Sequence, residues 1–321
     1  MKTELIALRE AMKAHGIDAY IIPTADFHGS EYVGDYFKCR SYVSGFTGSA
    51  GTLVVLADEA GLWTDGRYFL QAGEQLAGSG ITLMKMAMPG TPTIPDFLKV
   101  KLPVGAILGF DGRVVAAADG STYEEILKEK GGCVRADLDL VGEIWADRPA
   151  LRARQAYLID ESRSGMTFDE KRRLVLEAME KEEADVFLLT SLDDIAWLFN
   201  MRGDDVDYNP VVLSYVLMTK AETRLYANLP AFGEEIRREL SVQGVTLLPY
   251  DQIYTDVTEL SPEQKVLLER EKVNYRLLTA LPEGIEVISR RNPTTIPKAA
   301  KTEAEQAGSR AAHIRDGVAV T

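Results

Sequence analysis

The chain has 321 residues, 46% hydrophobic and 26% charged, with a formal net charge of −13. That length suffices for two domains with complete cores. The acidity argues against a nucleic-acid partner, which requires clustered Lys and Arg, and no apolar run approaches the roughly 20 residues of a membrane helix.

From the start, Leu5, Leu8, Met12 and Ile17 lead through an amphipathic helix, rather than the apolar core of a signal peptide, and then a turn. A strand over Asp18 to Ile22 follows, then a hairpin of Thr52 to Leu56 with Gly61 to Thr64. A helix over Arg67 to Leu76 and a strand over Gly80 to Met84 come next. The same series then recurs. Leu174, Leu176 and Met179 lead into a strand over Asp185 to Leu189, and Leu192 to Asn200 is a short apolar helix. A hairpin of Val211 to Met218 with Thr223 to Ala227 precedes a helix over Ala231 to Leu240 and a strand over Gly244 to Leu248. The spacing is 164 residues between Gly80 and Gly244 and 167 between Asp18 and Asp185, which points to duplication.

Strands alternating with helices predict α/β domains of two or three layers, and the hairpins make their sheets mixed. The charged, Pro-containing stretch Asp147 to Arg154 and the stretch Asn292 to Pro297 read as linkers. The expected domains are 1–154 and 155–299, with 300–321 the start of a third. In that last segment Thr302 and Glu305 have capping-box spacing, and Ala304, Ala311, Ile314 and Val318 form an apolar stripe. The stripe is still running at Thr321, so the chain is expected to be the front part of a longer polypeptide.

The sequence offers little visible chemistry. None of the three histidines, His15, His28 and His313, has a partner at metal-ligand spacing. His15 suits a helix C-terminus, and His28 lies in a loop suited to an interface. Cys39 and Cys133 form no disulfide framework and fit a reducing, cytoplasmic home. The Gly-rich Phe46 to Gly51 precedes a strand and lacks the Lys of a phosphate loop, so it reads as a turn. Asp205 to Asn209 opens like a calcium loop, but Pro210 and Val216 stand where Gly and Glu belong. A carboxylate-only metal site around Asp204, Asp205 and Asp207 is the remaining metal alternative. Two polar stretches stand out as edges of a site. One is Asp65-Gly66-Arg67-Tyr68, where Asp65 caps a helix; the other is Arg202 to Pro210, leaving a buried helix.

Ser44 to Gly51, Trp63 to Ala72, Leu83 to Met86, Leu192 to Asn200, Arg202 to Val206, Asn209 to Val211 and Ala312 to Ala319 together resemble the aminopeptidase P (Xaa-Pro aminopeptidase) family of three-domain type. The resemblance spans almost the whole chain. It implies two tandem creatinase N-terminal-like domains, each a mixed β-sheet flanked by helices, then the first helix of a pita-bread catalytic domain. It implies release of the residue before proline by a centre of two manganese ions in that further domain. No metal ligand or catalytic residue of the family has a counterpart in this chain, so this segment is expected to hold no cofactor and to be inactive alone. Its implied roles are to shape the cleft and support a homodimer, with Arg202, Asp205, Asn209, Arg67 and Tyr68 the residues expected at the cleft. The rival reading is a protein-binding module built from creatinase-like domains without peptidase activity.

Overall fold

A computed structural model describes residues 2–321. The chain forms two compact units. One runs to Leu151 and includes the later segment Asn274–Thr279; the other comprises Arg152–Val273 and Ala280–Thr321.

The first unit holds β1 (Ala19–Pro23), β2 (Thr52–Leu56), β3 (Ala60–Thr64), β4 (Thr82–Lys85), β5 (Ile107–Phe110) and β6 (Cys133–Arg135) in one sheet of order β4-β3-β2-β1-β5-β6. β2 is antiparallel to both neighbours, with Ala19 opposite Leu56 and Thr52 opposite Trp63. The remaining pairs are parallel. Alternation along β1 divides the core between two faces. Tyr20 and Ile22 pack with Leu5, Leu8, Leu53 and Val55. Ala19 and Ile21 pack with Val54, Leu98, Leu108 and Leu127 on the other. Helices therefore cover both faces, giving three layers. Each such large side chain taken from water contributes about 1.5–3 kcal/mol.

The first helix, Thr3–His15, ends as its sequence suggests. Gly16 takes the left-handed conformation that closes the last turn, at φ 67°. His15 reaches Glu143 at 3.0 Å. Near the sheet's other margin, Tyr275 donates to Glu124 at 3.1 Å and packs edge-on to Phe110. Asn274 donates to the Phe27 carbonyl at 2.9 Å.

The second unit opens with a two-stranded ribbon of β7 (Tyr157–Leu158) and a later β9. Its main sheet begins with β8 (Val186–Leu189); β9 spans Met201–Arg202. Then come β10 (Ser214–Thr219), β11 (Thr223–Ala227), β12 (Val245–Pro249), β13 (Lys265–Leu268) and β14 (Glu286–Ser289). The order is β12-β11-β10-β8-β13-β14, with β10 antiparallel to both neighbours and the other pairs parallel. This is the arrangement of the first sheet repeated strand for strand. The expected mixed sheets and the duplicated plan are both present.

Several boundaries differ from the sequence reading. Val211, Val212 and Leu213 are buried yet precede β10, because Asp205 rather than a neighbouring strand takes the Leu213 N–H. The helix expected from Arg67 begins as a 3-10 turn, Gly66–Tyr68, and becomes α-helical at Phe69. The closing helix, Glu303–Val320, has both halves of its capping box, and Ile314, Val318 and Val320 on it are exposed. Among the described residues no helix is long and apolar enough to cross a membrane.

Candidate functional site

Two polar assemblies contain the residues singled out above, one in each unit. In the first unit, the short helix Cys39–Ser44 ends at Gly45, held at φ 75°. From that helix the buried Arg40 donates to Thr24 Oγ1 at 2.6 Å, to the Phe46 carbonyl at 2.9 Å and to the Gly48 carbonyl. Its guanidinium also lies 4.7 Å above the Phe46 ring. Burial pulls its pKa down to about 10, so it stays cationic at neutral pH, with carbonyls rather than a carboxylate around it.

The loop braced in this way meets the stretch after β3. Ser49 Oγ and Tyr68 Oη are 2.7 Å apart, and the Phe46 and Tyr68 rings meet edge to face. Asp65 accepts from the Arg67 backbone N–H at 3.0 Å and from two guanidinium nitrogens at 2.8 Å each. Those Arg67 hydrogen bonds hold the Asp65 carboxyl down at about 2. Tyr68 and Arg67 are thus positioned by their own loop while Arg67 stays largely open to solvent.

In α/β sheets, ligands favour the crevice where strand order reverses, at the carboxyl ends of the strands. In the first unit that crevice, beside β1 and β5, is filled. Arg113 forks onto Asp111 at 2.8 and 2.9 Å, and Arg148 reaches Asp139 at 2.5 Å while lying 3.7 Å over the Tyr36 ring. A void of only about 20 Å³ remains. Cys39 lies 3.2 Å from Arg148 Nη2, and burial pushes its thiol up to about 12, so it stays protonated and is no nucleophile.

In the second unit, the buried helix Leu192–Leu198 runs into Asn200, which takes a left-handed φ of 51°. Lys171 holds this turn. The residue is 1% exposed, and its ammonium donates to the Trp197 carbonyl at 2.8 Å and to Asn200 Oδ1 and lies 4.8 Å over the Trp197 ring. Asn200 Nδ2 donates to the Met166 carbonyl at 2.8 Å. Burial pulls Lys171 down to about 8.

Beyond the turn, β9 pairs Arg202 with Tyr157. Arg202 Nη1 donates to the Ala196 and Met201 carbonyls at 2.7 and 2.9 Å, and burial lowers its pKa. Arg202 and Asn209 then line one cavity of about 460 Å³, together with Trp197, Pro210, Lys301 and Glu305. Asp205 does not line it. Only 2% exposed, it accepts the Arg154 N–H at 2.7 Å and the Leu213 N–H at 2.9 Å. Burial raises its pKa against those two donors. Asp207 pairs with Arg152. The acidic loop thus spends Asp205 and Asp207 on its own shape, and among the described residues no group of three His, Cys, Asp or Glu side chains is placed to hold a metal ion.

The structure therefore brings Arg202 and Asn209 together, sets Asp205 behind them as a brace, and pairs Arg67 with Asp65 and Tyr68 with Ser49 in the first unit. Sequence reasoning passed over Arg40 and Lys171. The second left a signal, because Phe168, Lys171, Val175 and Met179 share the buried face of one helix. A lysine on an apolar stripe needs a buried partner.

Two family profiles, each described as the creatinase/prolidase N-terminal domain, match residues 5–141 and 147–305. The protein named probable Xaa-Pro aminopeptidase P of Pyrenophora teres f. teres is 37% identical over 99% of this chain and 50% of its own length. The protein of the same name from Coprinopsis cinerea is 37% identical over 99% of this chain and 53% of its own. The X-prolyl aminopeptidase of Caenorhabditis elegans, described as a cytosolic enzyme with a di-nuclear active site, superposes with a TM-score of 0.92 at 32% identity. The alignment covers 99% of this chain and 54% of that one. The chain spans about half the length of the curated relatives it matches. With both its halves matched, the chain belongs to the creatinase/prolidase N-terminal domain family, carries that domain twice in tandem, and is a homologue of the N-terminal half of the Xaa-Pro aminopeptidases P.

Proposed function

We propose that these residues are the non-catalytic N-terminal part of a metal-dependent Xaa-Pro aminopeptidase, a hydrolase that releases the residue preceding proline from a peptide's N-terminus. The observation that carries this reading is the match along 99% of the chain, in sequence and in fold, to X-prolyl aminopeptidases twice its length. The residues present do not fit a metal pair, so two manganese ions belong in this reading to further chain and no step is derived through them. When bound, such a pair polarises a carbonyl and supplies hydroxide.

The part played here is to shape the cleft. Arg202 and Asn209 share a cavity that also carries Lys301 and Glu305, so it offers both signs of charge to a zwitterionic peptide. Asp205 acts behind them as a positioning residue, and Arg67 and Tyr68 present a second polar edge. A homodimer and a cytoplasmic location complete the proposal.

Two measurements test it. The 321-residue chain, supplied with manganese, is expected to release no arginine from Arg-Pro-Pro, whereas the full-length protein does so and stops on chelation; turnover by the 321-residue chain overturns the reading. In the full-length protein, Arg202→Ala is expected to raise KM about tenfold without changing Tm. Normal kinetics with a lowered Tm would instead confine Arg202 to bracing its loop.

A further inference from the structure

The cavity shared by Arg202 and Asn209 has a charge balance opposite in sign to that of the whole chain. The protein bears a formal net charge of −13. Yet the cations Arg163, Arg202, Lys298 and Lys301 line this cavity against two carboxylates, Asp193 and Glu305. What each charge already meets decides which of them a ligand can use. Lys298 pairs with the buried Asp194 at 2.9 Å. Glu305 accepts the Thr302 N–H at 2.8 Å and closes the capping box of the helix Glu303–Val320. Asp193 lies in the first turn of the helix Leu192–Leu198, where the positive end of the helix dipole offsets a carboxylate.

The other three cations lack such compensation. Among the described residues none of Arg163, Arg202 and Lys301 forms an ion pair. Asp160, beside Arg163, is turned to the Ser162 N–H at 2.8 Å. Arg163 and Lys301 stand at the exposed rim, and Arg202 is set deeper. Its Nη1 is taken by two neutral carbonyls, while Nε and Nη2 keep donors that no described protein group accepts. Those are the two donors with which Arg67 grips Asp65. Burial lowers the pKa of Arg202 in spite of Glu305 and Asp193, which marks a guanidinium short of an anion. A fork of two free donors on a partly buried guanidinium matches a carboxylate. The Asn209 side-chain amide, also without a partner among the described residues, lines the same cavity.

The remaining wall is apolar, with Trp197, Pro210 and Val211. The Trp197 ring is held from behind by the Lys171 ammonium. At about 460 Å³ the cavity is within the range of small-molecule sites and far larger than a bare anion needs.

Resting on the peptide reading of this cavity, we propose that it holds the C-terminal carboxylate of a short peptide, forked by Arg202 Nε and Nη2 and attracted by Lys301 and Arg163, with the peptide's last apolar side chain against Trp197 and Pro210. The cavity thereby selects peptides with a free C-terminus over amidated ones.

The test is binding without turnover. N-acetyl-Pro-Pro, its C-terminal amide and acetate are titrated into the ¹⁵N-labelled 321-residue chain, and the Trp197 indole N–H resonance is followed. The acid is expected to shift it saturably in the millimolar range, while those of Trp63 and Trp145 stay in place. The amide, which lacks only the charge, should bind about tenfold more weakly, the difference between a charge-assisted and a neutral hydrogen bond. Acetate, without the apolar body, should bind more weakly than the acid by at least as much. The double substitution Arg163→Gln, Lys301→Gln at the rim should weaken the acid about fivefold and spare the amide, with unchanged Tm. Any of four results overturns the proposal: no saturable Trp197 shift below about 10 mM acid, the amide binding as tightly as the acid, acetate doing so, or a double variant of normal Tm that binds the acid as the parent does. A full-length protein that hydrolyses no Xaa-Pro peptide would sink the aminopeptidase reading and leave this binding result standing.

Discussion

A lysine on the buried face of a helix is costly unless each donor of its ammonium finds an acceptor. Lys171 meets that condition with the Trp197 carbonyl, Asn200 Oδ1 and the Trp197 ring. Lys171→Met keeps the apolar stem but leaves those two oxygens without their donor. The expected cost is about 1–3 kcal/mol, measured by urea denaturation. The pH dependence has a definite sign. Because burial lowers the folded-state pKa to about 8, below the ordinary lysine value, the folded state releases its proton first. The penalty of burying the charge is thus fully present below pH 8 and is relieved as pH rises above it. Wild type should gain on Lys171→Met by at most about 1.4 kcal/mol per pH unit above pH 8; a constant difference from pH 7 to 10 would refute this. Asp205 shows the opposite limit of reading single residues. Its neighbours Asp204 and Asp207 make it look like one more loop carboxylate, and only the fold reveals that it serves two backbone N–H groups separated in sequence.

Among the elements, those with a local signature were legible and those defined by distant partners were not. The hairpins β2–β3 and β10–β11 announce themselves through apolar runs on either side of a short turn. The strands β5, β6, β13 and β14 are three or four residues long, and nothing nearby marks them. They become strands because β1 and β8 offer β5 and β13 a parallel edge, and β5 and β13 in turn offer one to β6 and β14, which no local period encodes. The loop Phe46 to Gly51 reads in sequence as a turn needing glycine freedom, and the structure adds a second reason. A Cβ on Gly48 would strike the Phe46 ring and come within 2.8 Å of the Tyr68 ring. Gly48→Ala is therefore expected to destabilise the first unit by about 1–3 kcal/mol through overpacking, and to separate Ser49 from Tyr68. A thermal melt within about 0.5 °C of wild type would show that the loop absorbs the methyl freely.

At the scale of the molecule, one strand permutation used twice explains why the sequence repeats its elements at nearly constant spacing. The repeat does not extend to where each core ends, because the first unit includes Asn274–Thr279. Tyr275, 4% exposed, lies against Phe110 and so close to Gly120 that a Cβ there would collide with its ring. Tyr275→Ala should cost the first unit about 3–4 kcal/mol, in the range for emptying a buried aromatic site. Hydrogen exchange locates the effect: amides of β1 and β5 should lose protection while those of β8 and β13 keep theirs, and a uniform loss would contradict it.

That late segment also sets a timetable for biosynthesis. Asn274 meets the carbonyl of Phe27 across 247 positions of chain, and Tyr275 meets Glu124 across 151. At roughly 5–20 residues per second of translation, the first unit leaves the ribosome many seconds before its last core side chain has been made. During that interval the faces of Phe110 and Gly120 stand open, and a nascent chain stalled near residue 200 should expose them to chaperones or proteases in a way that the finished chain does not.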